Sequence, residues 1–133
     1  MNIRYKKRRG WKYKLWVDTS YATGIIPIRP IDHEYLAIDA VGYLRVRQGY
    51  CWDGPSGPTV DTKTFMRGSL IHDALYQLMR EGVVAAVYRK RSDIILRDIC
   101  LEDGMSKIRA GWVYHGVRVG ANKSSRPNLL SAP

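Results

Sequence analysis

The spacing of hydrophobic residues changes once along the chain, near Thr62, and this change constrains the fold more than any other feature. Before it, short runs alternate apolar and polar residues, as in residues 43–47, where Leu44 and Val46 face one way. This alternation predicts β-strands with one buried face. After it, apolar residues recur every three or four positions, which is the spacing of a helix. We therefore predict an α+β fold, with a small antiparallel β-sheet in the N-terminal half followed by about three helices.

The chain is predicted to form one domain over residues 1–120 and an extended tail over residues 121–133. Its length of 133 residues is usual for a single domain. Residues 35–39 and 43–47 are expected to pair as a hairpin. In the third helix, Ile108, Trp112 and His115 share one face. The predicted helices run from after Thr62 to Gly82, from Tyr88 or Ser92 to Gly104, and from Ser106 to about Val119.

Positive charge is concentrated at the N-terminus. The chain carries 22 basic and 12 acidic residues, a net charge of +10, but residues 1–14 hold seven of the bases and no acid. A block of one sign repels itself, so residues 1–10 are predicted to form a basic arm. Its expected partners are anionic surfaces, either nucleic acid or lipid head groups. The predicted anion-binding residues are Arg4, Lys6, Lys7, Arg8, Arg9, Lys12 and Lys14.

Residues 11–17 have two interpretations. Trp11, Tyr13, Leu15 and Val17 fall on one face of an extended chain, with lysines on the other. This pattern predicts an edge strand whose lysines discourage pairing with another chain. The same aromatic residues among bases would also suit stacking on nucleobases.

Cysteine content and hydropathy indicate where the protein is made. Cys51 and Cys100 are too few for a disulfide scaffold and lack the paired spacing of a zinc site. The apolar runs are far shorter than the roughly 18 residues of a membrane span, and no apolar stretch of a signal peptide follows the basic N-terminus. We therefore expect synthesis in a reducing cytoplasm, without secretion by a signal peptide.

A loop of fixed shape precedes the first helix. Residues 52–58 read WDGPSGP, in which two glycines and two prolines restrict the backbone. On the helix, His72 and Tyr76 are four residues apart and share a face. The Asp73 carboxylate and loop carbonyls could supply the oxygen ligands that Ca²⁺ prefers. His72 could then activate a water as general base, with Asp93 of the next helix orienting its second ring nitrogen.

A purely structural interpretation of this cluster stays open. A buried histidine beside an aspartate, with a tyrosine one turn away, often forms a polar network that fixes a loop on a helix. Asp93, next to Ser92, could equally mark the start of the second helix. Under either interpretation, support for the loop and the helix start is expected from Asp53, Ser56, Asp61 and Ser69.

Residues 35–120 resemble a bacteriophage and prophage family catalogued as domain of unknown function 1353. The matching motifs are Gly49-Tyr50, residues 52–58, Asp61-Thr62, Ser69-Leu70, residues 72–76 and Asp93. The resemblance implies a phage origin and no particular activity. It is compatible with a virion component, such as a tail or baseplate protein, that docks on other phage particle proteins. The protein would then be made in the host cytoplasm and incorporated into the virion.

The same region more loosely resembles secreted phospholipases of the A2 type, which place a glycine-rich calcium loop before a His-Asp-x-x-Tyr helix. The resemblance implies that His72 is the general base, that Asp73 binds Ca²⁺, and that Tyr76 and Asp93 hold the histidine. The implied loop ligands are the carbonyls of Trp52, Gly54 and Gly57. The chain departs from the pattern before the His-Asp pair, where residues 68–71 read GSLI in place of doubled cysteines.

Three functions are therefore expected as alternatives. The first is a phage-encoded, calcium-dependent hydrolase acting on an envelope lipid or ester. The second is a non-catalytic virion structural protein. The third is a nucleic-acid binder that uses the basic arm.

Overall fold

The computed structural model describes residues 5–7, 13–53 and 63–120, and of residues 5–7 it describes the backbone. This part of the chain contains seven strands, three α-helices and a short 3₁₀ turn at Ala86–Tyr88, which confirms the predicted α+β class. The strands are β1 (Tyr5–Lys7), β2 (Tyr13–Leu15), β3 (Thr19–Ala22), β4 (Ile31–Asp32), β5 (Leu36–Ile38), β6 (Tyr43–Val46) and β7 (Cys51–Trp52). The helices are α1 (Met66–Arg80), α2 (Arg89–Glu102) and α3 (Lys107–Gly120).

The strands form two small antiparallel sheets, ordered β1-β2-β7 and β3-β6-β5-β4. The predicted hairpin is confirmed, because β5 pairs with β6 in a register that places Leu36 opposite Val46. At its turn, the Asp39 carboxylate accepts hydrogen bonds from the backbone N–H groups of Val41 and Tyr43. Gly42 has a φ of +88° there, and a Cβ at this position would lie 2.5 Å from the Ile25 carbonyl oxygen.

The predicted position of residues 11–17 at a sheet edge is wrong. Strand β2 is the middle strand of its sheet, because residues 5–7 of the predicted arm fold back on it as β1. Tyr13 and Leu15 are buried as expected, whereas the strand ends before Val17, which is exposed. Lys14 pairs with Lys6 and Cys51 and is half-buried, since it points to the opposite face of the sheet.

Helix α1 is the centre of the core and is buried on almost every side. The largest hydrophobic cluster joins its Leu70, Ile71 and Leu75 to strand residues such as Leu44 and Trp52. The helix ends at Arg80, two residues before the predicted stop at Gly82, whose φ of +76° ordinary residues rarely adopt.

Helix α2 begins at Arg89, so Ser92 does not cap it. Instead Ser92 lies in the first turn, where its hydroxyl donates to the Tyr88 carbonyl at 3.0 Å. Asp93 therefore follows the first turn, and it is completely buried. The structure thus places Asp93 inside the protein rather than at the start of the helix.

Helix α3 packs through a face that the sequence pattern did not single out. Its inward residues are Ala110, Val113 and Val117, whereas Ile108 and Trp112 are 71% and 74% exposed. None of the described helices is long and apolar enough to cross a membrane.

Gly68 permits the close contact between α1 and α2. A Cβ at this position would lie 2.9 Å from Leu96 Cδ1, 3.1 Å from Cys100 Sγ and 3.2 Å from the Leu96 carbonyl oxygen. We expect Gly68→Ala to lower the free energy of unfolding by about 1–3 kcal/mol, measured by urea denaturation, because the side chains of Leu96 and Cys100 and the backbone of α2 must shift together. The control is Gly111→Ala on α3, where a Cβ meets nothing within 4 Å.

Glycine disfavours a helix interior by about 0.5–1 kcal/mol relative to alanine, so the control substitution should stabilise the protein slightly. A Gly68→Ala variant as stable as Gly111→Ala would contradict the close-packing argument.

Candidate active site on helix α1

A buried carboxylate forms the centre of the site. The Asp93 side chain is 0% exposed and accepts hydrogen bonds on both of its oxygens. Tyr76 donates its phenolic proton to Oδ1 at 2.5 Å, and His72 Nε2 lies 2.7 Å from the same oxygen. The Arg118 guanidinium donates to Oδ2 at 2.8 Å. Asp93 thus joins side chains from all three helices.

The two ring nitrogens of His72 have different surroundings. Because Asp93 is a carboxylate and can only accept, Nε2 must carry a proton when it bonds to Oδ1. In the neutral imidazole, Nδ1 then keeps its lone pair. Nδ1 faces Asp73, whose Oδ1 lies 3.8 Å away and whose side chain is 40% exposed. The carboxylate on the Nε2 side is therefore fully buried, whereas the carboxylate on the Nδ1 side is partly exposed.

Burial and charge act in opposite directions on the acids and bases of the site. Burial alone would raise the pKa of Asp93, but hydrogen bonds from His72, Tyr76 and Arg118 outweigh it and hold the pKa below its usual value. Burial lowers the pKa of His72, but the carboxylates of Asp73 and Asp93 raise it by more, so the pKa lies above its usual value. Burial and the bond to Asp93 raise the pKa of Tyr76, which stays a proton donor.

The helical spacing of α1 explains how these groups come together. Ser69, His72 and Tyr76 follow each other at intervals of three and four residues, which places them on one face of the helix. The His72 and Tyr76 rings stack with centroids 4.2 Å apart, so their orientation is mutually fixed.

Hydrogen bonds join strand β7 and the residue before it to α1. The buried Trp52 indole N–H donates to Ser69 Oγ at 3.1 Å, and the Ser69 hydroxyl donates to the Met66 carbonyl at 2.9 Å. About two turns further along α1, Gln77 Oε1 accepts a hydrogen bond from the Tyr50 hydroxyl at 2.8 Å. These bonds fix the chain just before residue 53 against α1.

The structure brings four of the sequence-predicted site residues together: His72, Asp73, Tyr76 and Asp93. Ser69 and Trp52 support the start of α1, and Asp53 is exposed where the described part of the loop ends. Several predicted residues lie outside the described part, namely Gly54, Ser56, Gly57, Asp61, Arg4, Arg8, Arg9 and Lys12. The same holds for the side chains of Lys6 and Lys7.

The described residues fit a calcium ion only in part. Within residues 13–53 and 63–120, no three His, Cys, Asp or Glu side chains cluster as a metal site. Asp73 offers one partly exposed carboxylate, a hard oxygen ligand of the type that Ca²⁺ prefers. The carbonyls of Gly54 and Gly57, expected as further ligands, belong to the segment that is not described.

Arg118 is the member of the site that the sequence pattern did not reveal. It lies in the last turn of α3, one turn beyond the exposed stripe that drew attention to that helix. A signal was available, because only four residues separate α2 from α3. Such a short connection makes neighbouring helices antiparallel, and this brings the end of α3 beside Asp93 near the start of α2.

Comparisons with protein-family models, with curated proteins and with solved structures find no significant match to this chain.

Proposed function

We propose that the protein is a hydrolase in which His72 is the general base, and that its substrate is an ester such as an envelope lipid. The arrangement of His72 between two carboxylates carries this proposal. Nε2 is bonded to buried Asp93 at 2.7 Å, and Nδ1 faces the partly exposed side of the site. A histidine oriented by a buried carboxylate through one nitrogen, with the other available, is the arrangement used to deprotonate a nucleophile.

The chemistry follows from this geometry. Nδ1 takes a proton from a water molecule, and the water oxygen forms a bond to the ester carbonyl carbon. The resulting tetrahedral species collapses with cleavage of the ester C–O bond, and the leaving alkoxide receives the proton from Nδ1. Asp93, at 2.7 Å from Nε2, stabilises the imidazolium that exists between these two proton transfers.

Calcium dependence is part of the proposal. Asp73 would be the carboxylate ligand, together with carbonyls of Trp52, Gly54 and Gly57. A bound Ca²⁺ would stabilise negative charge on the ester carbonyl oxygen.

The outward face of α3 favours a second candidate, a phage particle protein. Ile108, Trp112 and Val119 are each more than 70% exposed on this face. Exposed apolar patches of this kind often mark contacts with other proteins. On this reading the polar network around Asp93 is structural and the partners are other particle proteins.

One set of measurements separates the two candidates. Purified protein is assayed against p-nitrophenyl esters and phospholipid vesicles, with Ca²⁺ or with a chelator, and virions are examined by mass spectrometry. The hydrolase proposal predicts turnover above background, reduced by Asp73→Asn and by chelation. Lys63→Gln, a change at an exposed residue that precedes α1, serves as the control for altered charge. Absence of turnover under every condition would refute the hydrolase, and a fixed copy number in virions would then support the particle protein.

A further inference from the structure

The two carboxylate oxygens of Asp93 bond to different helices. Oδ1 accepts the bonds from His72 and Tyr76, both of which lie on α1. Oδ2 is bonded to Arg118, which lies on α3. A carboxylate that is 0% exposed requires hydrogen bonds and countercharge, because solvent can supply neither. Arg118 supplies both, since its guanidinium is always charged.

The bond to Arg118 also fixes the rotation of the carboxylate. With Oδ2 held at 2.8 Å by α3, Oδ1 is directed towards α1 and the His72 ring. The arginine side chain is 26% exposed, whereas the carboxylate that it holds is 0% exposed.

The orientation of Asp93 matters because Asp73 could also accept a hydrogen bond from the His72 ring. Asp73 Oδ1 lies 3.8 Å from Nδ1, so a carboxylate is present on each side of the imidazole. If Asp93 is not held towards Nε2, the proton can move to Nδ1 and bond to Asp73 instead. Nδ1 would then be a donor, unable to accept a proton from water.

We propose that Arg118 is a positioning residue which, by holding the Asp93 carboxylate, keeps the His72 proton on Nε2 and leaves Nδ1 free to accept a proton. The charged and polar groups around this pair are Asp73 and Tyr76 on α1 and Arg89 at the start of α2, whose positive charge acts at Tyr76. Arg118 is the contribution of α3. The consequence for catalysis rests on the proposed function, but the position of the proton does not.

The test is the tautomer of His72, read by long-range ¹H–¹⁵N NMR at a single pH at which the imidazole is neutral. The chain has three histidines, and His33 and His115 are exposed, so they act as internal references. The wild type should show His72 with a protonated Nε2 and an unprotonated Nδ1. Arg118→Met, which keeps an unbranched apolar stem without the charge, should lose this signature and show a proton on Nδ1.

Two further variants make the result specific. Arg118→Lys retains the charge and should keep the wild-type tautomer. Lys107→Met removes a charge from the exposed start of the same helix and should leave the spectrum of His72 unchanged. If Arg118→Met fails to fold, Arg118→Gln, which keeps a polar side chain without the charge, takes its place: a proton on Nδ1 in that variant supports the proposal, and the wild-type tautomer overturns it. An Arg118→Met protein that folds with the wild-type tautomer also overturns it.

Activity gives a separate reading. Where hydrolysis is measurable, Arg118→Met should lower kcat by about 10–100-fold with little change in KM, because supporting partners act through the residue they orient. A tautomer that changes as expected in a protein without hydrolytic activity would refute the proposed function and leave the role of Arg118 intact.

Discussion

Asp93→Ala is expected to lower the free energy of unfolding by about 3–5 kcal/mol, the range observed when one partner of a buried ion pair is removed. The carboxylate is fully buried and is bonded to His72, Tyr76 and Arg118 at 2.5–2.8 Å. Its removal leaves three donors from two helices without their acceptor. The loss is measured by urea denaturation followed by circular dichroism.

Asp98 provides the matched control because it lies on the same helix in a very different environment. Its side chain is 45% exposed, and it bonds at 3.4 Å to Arg97, itself 38% exposed. Exposed pairs of this kind contribute little, so Asp98→Ala should change the stability by no more than about 0.5 kcal/mol. If Asp93→Ala and Asp98→Ala lower the free energy of unfolding by the same amount, the network around Asp93 does not hold the helices together.

The pairing of His72 with Asp93 illustrates how much of the site the sequence could predict. Helical spacing fixed the relation of His72 to Tyr76, since both lie on one short element with known geometry. Asp93 was a reasonable partner because a polar residue on an adjacent helix can reach the same face. The distance of 2.7 Å and the complete burial of Asp93 depend on how α1 and α2 pack, which spacing within one helix does not specify.

Helix α3 shows why the rest could not be predicted. Its sequence has two apolar stripes, one containing Trp112 and the other containing Val113 and Val117. Periodicity identifies a face but does not tell which face meets the core. The stripe with the large tryptophan is exposed, while the stripe with the smaller side chains allows α3 to approach α2 closely. Arg118 reaches Asp93 only because of that choice.

The predicted edge position of strand β2 was wrong for a related reason. Lysines on one face of a strand indicate a polar environment, and an unpaired edge is only one way to obtain it. Lys14 instead points to the half-buried outer face of a three-stranded sheet. The partner strand β1 contains bases of its own, so composition gave no sign that residues 5–7 would pair.

His72→Gln is expected to reduce ester hydrolysis by about 10²–10⁴-fold, the usual contribution of a general base. The glutamine amide N–H can still donate to Asp93 in place of Nε2–H, so the buried carboxylate does not lose a hydrogen-bond donor. The substitution should therefore lower stability less than Asp93→Ala does. Initial rates and urea denaturation on the same preparation measure both quantities.

The pH dependence provides a second signature of the same residue. The pKa of His72 is raised, chiefly by the carboxylates of Asp73 and Asp93 acting against burial. A general base must be unprotonated, so the wild-type kcat should increase as the pH rises through this pKa. In His72→Gln the residual rate should lose that dependence.

His115→Gln and His33→Gln complete the comparison, since both residues are exposed and neither is among the hydrogen-bond partners of Asp93 in the described part of the chain. Each should hydrolyse esters at the wild-type rate with the wild-type pH profile. A His72→Gln protein that keeps the wild-type rate would show that the measured hydrolysis belongs to another site or to a contaminating enzyme. The buried network would then be structural, as its three hydrogen bonds to one carboxylate also permit.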